Sequence, residues 1–160
     1  MTPAIDVAIE TEAWRDLDEP AELAATVIGQ TIAQSGVRIA DGAEVSIVLC
    51  DDAFIAELNR KWRRIDAPTN VLAFPSGGPV ASTPVLGDIV IAFETTAKEA
   101  ADSGKPLRAH VAHLMAHGFL HLIGYDHIAD AEAETMEALE RAVLARLGIT
   151  DPYSAPQGRK

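Results

Sequence analysis

All five histidines of the chain lie between positions 110 and 127, at His110, His113, His117, His121 and His127. Imidazole titrates near neutral pH and is the commonest protein ligand for transition metals. His113, His117 and His121 are spaced by four. On a helix they would share one face, one turn apart. Two imidazoles at that spacing can share an ion, as on the H-E-x-x-H helix of zinc proteases. Tetrahedral zinc needs at least one further ligand from elsewhere. Gly124 permits a sharp turn after the helix, and His127 can then fold back to supply a third imidazole. Three protein ligands leave one position open, which is the arrangement of catalytic rather than structural zinc. We read His117, His121 and His127 as the ligands of one metal ion. Zinc is the ion expected, although three imidazoles also suit nickel or copper. His113 is given no metal role: it is a ligand, a supporting group or a packed residue one turn back. A lone histidine is more simply a hydrogen-bonded core or surface residue. The H-x3-H-x5-H spacing closed by a glycine is not.

An absence narrows the chemistry. Gly118 stands where a zinc protease carries its general-base glutamate, so peptide hydrolysis of that type is not expected. Asp126 is the nearest acid; it could orient a ligand imidazole by accepting its second N–H, or be a turn residue after Gly124. The single cysteine, Cys50, lies in an apolar run. It reads as a small buried hydrophobe rather than a nucleophile, and no internal disulfide can form.

The elements that must position the histidines follow from pattern. Residues 4–10 alternate weakly and read as a strand. Pro20 opens a helix that places Leu23, Val27, Ile28 and Ile32 at helical spacing and ends near Gly36. Residues 44–50 are apolar and β-branched, a buried strand. Asp51 and Asp52 then cap a short helix through about Trp62. Asn70 to Phe74 reads as a short strand closed by Pro75. Residues 75–86 carry three prolines and two glycines and read as an irregular loop. A strand over 87–93 and a polar helix over 94–103 follow. Pro106 suits the first turn of the histidine helix, which should run to about Ile123 and stop at Gly124. A last amphipathic helix over 129–148 turns Met136, Leu139, Val143, Leu144 and Leu147 inward. The expectation is an α+β fold: a small mixed β-sheet packed with about five helices, in a single domain over 1–150 with a polar C-terminal tail over 151–160.

The net charge of −11 argues against indiscriminate nucleic-acid binding, because phosphate contacts need Lys and Arg. The distribution is uneven, with 12 acids and 2 bases in residues 1–57 and 5 acids and 7 bases in residues 58–108. Arg60, Lys61, Arg63 and Arg64 fall within five positions. They form either a solvated helix face or a local anion site on an acidic protein. No secretory signal pattern opens the chain, and no apolar run reaches membrane-spanning length. The expected location is the cytoplasm, with no membrane partner and no DNA.

The segment from His117 through Gly118, Leu120, His121, Leu122, Gly124, Tyr125 and Asp126 to His127 resembles the H-G-x-L-H-L-x-G-Y-D-H signature of the YbeY family. Leu58-Asn59-Arg60-Lys61-Trp62-Arg63 and Pro68-Thr69-Asn70-Val71-Leu72-Ala73-Phe74-Pro75 resemble its L-N-x-x-[YW]-R and P-T-D-V-L-S-F-P segments. Gly87-Asp88-Ile89 resembles its G-D-I strand, and Met136, Glu137 and Glu140 its acidic last helix. Asn70 and Ala73 depart from the familiar Asp and Ser, so no catalytic carboxylate at 70 or hydroxyl at 73 is expected. The resemblance implies zinc on His117, His121 and His127, a functional Arg63, and the metal helix packed across the sheet. It also implies cleavage of single-stranded RNA in maturation of the 16S rRNA 3′ end and in ribosome quality control. The implied partners are the small ribosomal subunit and its proteins.

The chemistry is coherent. An ion with three neutral ligands keeps its charge and can polarise a phosphoryl oxygen or activate water. An arginine can hold a phosphate by two parallel hydrogen bonds, and the basic surroundings of Arg63 suit that role. The attacking group is either water or the RNA 2′-hydroxyl; a 2′,3′-cyclic phosphate product would identify the latter. Two other classes compete: a non-enzymatic ribosome assembly factor with a structural zinc, and a metallohydrolase of another substrate class. A structural metal predicts that histidine variants unfold, whereas a catalytic one predicts folded, inactive variants.

Overall fold

Apolar and β-branched residues at alternating positions build the sheet at the centre of the computed structural model, which describes residues 3–126 and 129–153. Its strands are β1 (Ala4–Ile9), β2 (Glu44–Cys50), β3 (Val71–Pro75) and β4 (Val85–Ala92), in the order β1-β2-β4-β3. β1, β2 and β4 run parallel, and β3 closes the edge antiparallel to β4. Five helices join them: α1 (Pro20–Ser35), α2 (Asp52–Arg63), α3 (Phe93–Asp102), α4 (Leu107–Leu122) and α5 (Asp130–Arg146). The mixed sheet and five helices are the α+β architecture expected from pattern.

The period of two along each strand divides the core. Val45, Ile47 and Leu49 of β2 and Ile89 and Ile91 of β4 face α1, α4 and α5 in the larger cluster. The alternate residues Val48, Cys50, Val90 and Ala92 face the other way, where Ile55 and Leu58 of α2 cover them. Both sheet faces are therefore at least partly covered, as expected where parallel strands are joined by crossover helices. No helix among the described residues is long and apolar enough to cross a membrane.

The start of β4 differs most from the pattern reading. β4 begins at Val85 rather than Gly87. Glu44 pairs with Val85 but Val45 pairs with Gly87, so β4 slips by one residue at Leu86. A bulge of this kind hides the start of a strand from a period-two reading. The expected loop is shorter for the same reason, and it is closed by the Ser76 N–H donating to the Leu86 carbonyl at 3.0 Å. The polar tail also begins as a bound segment: Lys105 Nζ donates to the Pro152 carbonyl at 2.9 Å.

α4 is the structural pivot. Val111, Ala112, Leu114, Met115, Ala116, Phe119, Leu120 and Leu122 are all buried, so the helix is apolar almost all round, as a core helix is. It lies against β3 and β4 on one side and α1, α3 and α5 on the others. Gly118 sets its approach to the sheet. A Cβ there would stand 2.8 Å from Ile89 Cγ2, closer than packed carbons allow. The missing protease glutamate thus has a steric reason as well as a chemical consequence: a side chain at 118 fits only if the Ile89 side chain gives way.

Candidate active site

Beyond its first turn, the side of α4 that its neighbours leave partly open carries the histidine stripe. His110, His113, His117 and His121 succeed one another at helical spacing and are only partly buried. His117 Nε2 and His121 Nε2 stand 3.2 Å apart. Two imidazole nitrogens bound at 2.0–2.1 Å to one tetrahedral ion would be about 3.3 Å apart. The pair has the bite of a shared ligand set, and neutral nitrogen donors suit zinc. Among the described residues, no three His, Cys, Asp or Glu side chains gather as a metal cage. His127, the third ligand expected from sequence, lies outside the described residues. Gly124 has φ of +106°, which fits the sharp turn that the sequence placed there.

Behind the histidines sits a carboxylate to which sequence reasoning gave no role. Glu140 of α5 is completely buried. Its Oε2 accepts from His117 Nδ1 at 2.8 Å and its Oε1 from His113 Nε2 at 2.6 Å. The Tyr153 hydroxyl also donates to Oε1. Burial pushes this carboxyl up, but the hydrogen bonds from His113, His117 and Tyr153 outweigh it and hold its pKa down at about 2. Burial and the Glu140 carboxylate push the Tyr153 phenol well above its usual range, so it stays a donor. An ionised Glu140 can only accept, and this assigns the tautomer of His117. A proton sits on Nδ1, and Nε2 points toward His121. A carboxylate that fixes the far nitrogen of an imidazole is the usual support of a metal-ligating histidine. His113 spends its Nε2 on Glu140, which makes it part of that support.

The sequence carried a signal for Glu140. Met136, Glu140, Val143, Leu144 and Leu147 form one stripe of α5. A lone carboxylate inside an inward apolar stripe must find partners, and the only histidine-rich helix in the chain is the natural source.

A groove of about 770 Å³ opens over His117 and His121. Its opposite side is built from the end of α2 and the edge strand β3, and Arg63, Trp62, Asn70 and Asp126 line it. The local fold explains the position of Arg63. α2 ends on Arg64 in the left-handed conformation, φ 59°, and buried Asn59 donates from Nδ2 to the Ala67 carbonyl at 2.9 Å. Together they turn the chain back toward β3 and leave Arg63, the last residue of α2, on the groove. Arg60 is paired with Glu57 at 2.7 Å, whereas no ion pair involves Arg63 among the described residues.

Asn70, where the familiar family pattern has Asp, donates from Nδ2 to Glu99 Oε1 at 3.0 Å. His110 Nε2 meets the same oxygen at 2.8 Å, and burial nonetheless pushes the His110 pKa below its usual value. An aspartate at 70 could not donate, and would place a second negative charge beside Glu99. Cys50 is buried, and burial pushes its thiol up to about 12, consistent with a packing role. A second cavity, of about 560 Å³, lies between α1 and the turn before α4 and contains no histidine. Its two cations are held by backbone: Lys105 by the Pro152 carbonyl and Arg108 by the Asp18 carbonyl.

Fold and groove together define an α+β protein with a histidine-centred candidate active site beside a basic helix end. A family model described as Endoribonuclease YbeY matches residues 8–148. A relative named Endoribonuclease YbeY from Methylocella silvestris is 71% identical, over 98% of this chain and 89% of its own. Relatives of the same name from Beijerinckia indica and Rhodopseudomonas palustris are 51% and 48% identical, over 96% and 95% of this chain and 78% and 93% of theirs. The solution structure of a protein from Thermotoga maritima is similar with a TM-score of 0.56 at 22% identity, over 94% of this chain and 99% of that one. That likeness speaks for the fold. The chain belongs to the YbeY endoribonuclease family.

Proposed function

We propose that this protein is a metal-dependent endoribonuclease that cuts single-stranded RNA, with zinc held by His117, His121 and His127 and the phosphate held by Arg63. The observation that supports the reading is the single groove shared by Arg63, His117 and His121. When bound, zinc supplies Lewis acidity at neutral pH next to the phosphodiester. The residues of the chain supply the rest. Glu140 holds the proton of His117 on Nδ1, which keeps Nε2 a lone-pair donor in a fixed direction. Arg63 offers a planar fork of N–H donors that can take two phosphate oxygens at once and offset charge that builds up on them. The acidic remainder of the molecule repels nucleic acid elsewhere and so concentrates binding near the α2 end.

The biological reading is maturation of the 16S rRNA 3′ end and ribosome quality control, in the cytoplasm and with the small ribosomal subunit and its proteins. It rests on family membership. One domain over 1–150, followed by a polar tail, completes the proposal.

Arg63→Ala tests the phosphate role. A charge-assisted contact of this kind contributes about 1.5–3 kcal/mol, so single-turnover cleavage of a single-stranded RNA should slow by about 10- to 100-fold. Arg63 is exposed, so the variant should fold as the wild type does. Full cleavage by Arg63→Ala would sink this assignment.

A further inference from the structure

We propose that Trp62 is the stacking platform for one unpaired RNA base beside the cleaved phosphate, and that it thereby contributes to selection of single-stranded substrate. The inference rests on the endoribonuclease reading and goes beyond it by assigning a base-binding residue.

An exposed indole requires a reason. Trp62 is 63% exposed, although a tryptophan has one of the largest apolar surfaces to hide. It is not loosely placed. Its ring sits 6.3 Å from Phe74 of β3 with the planes inclined at 65°, an edge-to-face contact that holds the indole at the rim of the groove. It lines the same groove as His117 and His121 and directly precedes Arg63. Lys61 Nζ lies 5.3 Å from the ring centroid, so a cation accompanies the aromatic surface. An exposed aromatic ring held by a neighbour and accompanied by cations is the recurrent arrangement for single-stranded nucleic acid: the ring takes a base face and the cations take the backbone. A protein partner would be expected to prefer an apolar patch without this charge on a chain of net charge −11.

The geometry also bears on selectivity. In a duplex both faces of an internal base are already stacked on neighbours, and only an unpaired base can be splayed onto a side chain. If the nucleotide next to the phosphate at Arg63 must stack on Trp62, paired RNA is refused without any clash. The same ring accepts any base, because every base has a π-face. Strand selectivity without strong sequence selectivity is the expected consequence.

The test uses zinc-loaded protein in excess over a labelled single-stranded RNA, with single-turnover rates measured as enzyme concentration is raised. Trp62→Ala should raise the half-saturating concentration by about 5- to 100-fold, the range for loss of one aromatic stack. That factor should exceed any fall in the plateau rate. Trp62→Phe should recover most of the loss. RNAs lacking one base at successive positions provide a readout that a merely structural tryptophan would not move. At one position beside the cut, removal of the base should weaken wild-type binding but leave Trp62→Ala unaffected. An unchanged half-saturating concentration in Trp62→Ala, or equal penalties for the missing base in both proteins at every position, overturns the stacking role while leaving the endoribonuclease reading intact. Absence of cleavage by the wild type at every enzyme concentration overturns both.

Discussion

His121→Ala is expected to remove RNA cleavage while leaving the fold in place. The side chain is on the open side of α4, so its truncation empties no core position. Its Nε2 is one of two nitrogens converging at 3.2 Å, and without it the ion would have two imidazoles instead of three. The several kcal/mol of transition-state stabilisation expected from a Lewis acid at a phosphoryl group correspond to roughly 1,000-fold or more in rate. Single-turnover cleavage and circular dichroism of the same preparation check both halves of the expectation. A folded variant that cuts at the wild-type rate contradicts the ligand role. An unfolded one would instead favour a structural metal.

Glu140→Ala is expected to have the largest effect on stability. Its carboxylate takes hydrogen bonds from His113, His117 and Tyr153 in a fully buried position. Truncation leaves three polar groups without their acceptor, and breaking one partner out of a buried charged network costs about 3–5 kcal/mol. Urea unfolding should show a lowered midpoint with little change in slope. Glu140→Gln separates this effect from the positioning of His117. It keeps the volume, but one of its two terminal atoms donates rather than accepts, so it cannot receive N–H groups from both histidines. Glu140→Gln should therefore fold more stably than Glu140→Ala yet bind the metal about 10- to 100-fold more weakly. If Glu140→Gln matched the wild type in metal affinity, the carboxylate would have no orienting role.

Much of the architecture was legible along the chain because local signals coincided with tertiary ones. Pro20 and Gly36 bracket α1, and Asp51 caps α2 by accepting from the Phe54 N–H at 2.8 Å. The histidine spacing placed His117 and His121 on one face before any packing was known. What escaped was set by long-range packing. The stripe on α5 signals that Glu140 needs partners, but its role depends on how α5 docks on α4, which spacing within a helix does not report. The start of β4 was obscured by a one-residue slip against β2. Trp62 and Arg63 stood out as a motif, but their place opposite the histidines depends on the turn held by Arg64 and Asn59 and on β3 at the sheet edge. α4 showed little amphipathic pattern because the sheet and three helices surround it. Beyond the first turn, its histidines marked the partly open side.

RNA cleavage is expected to require a metal held by the histidine cluster. The direct measurement is the zinc content of the purified protein, followed by cleavage of single-stranded RNA before chelation, after chelation and after zinc is restored. About one ion per chain, with activity lost on chelation and regained with zinc, is the predicted result for a three-histidine site. Protein that is free of metal and cuts RNA at its full rate would contradict a metal-dependent mechanism.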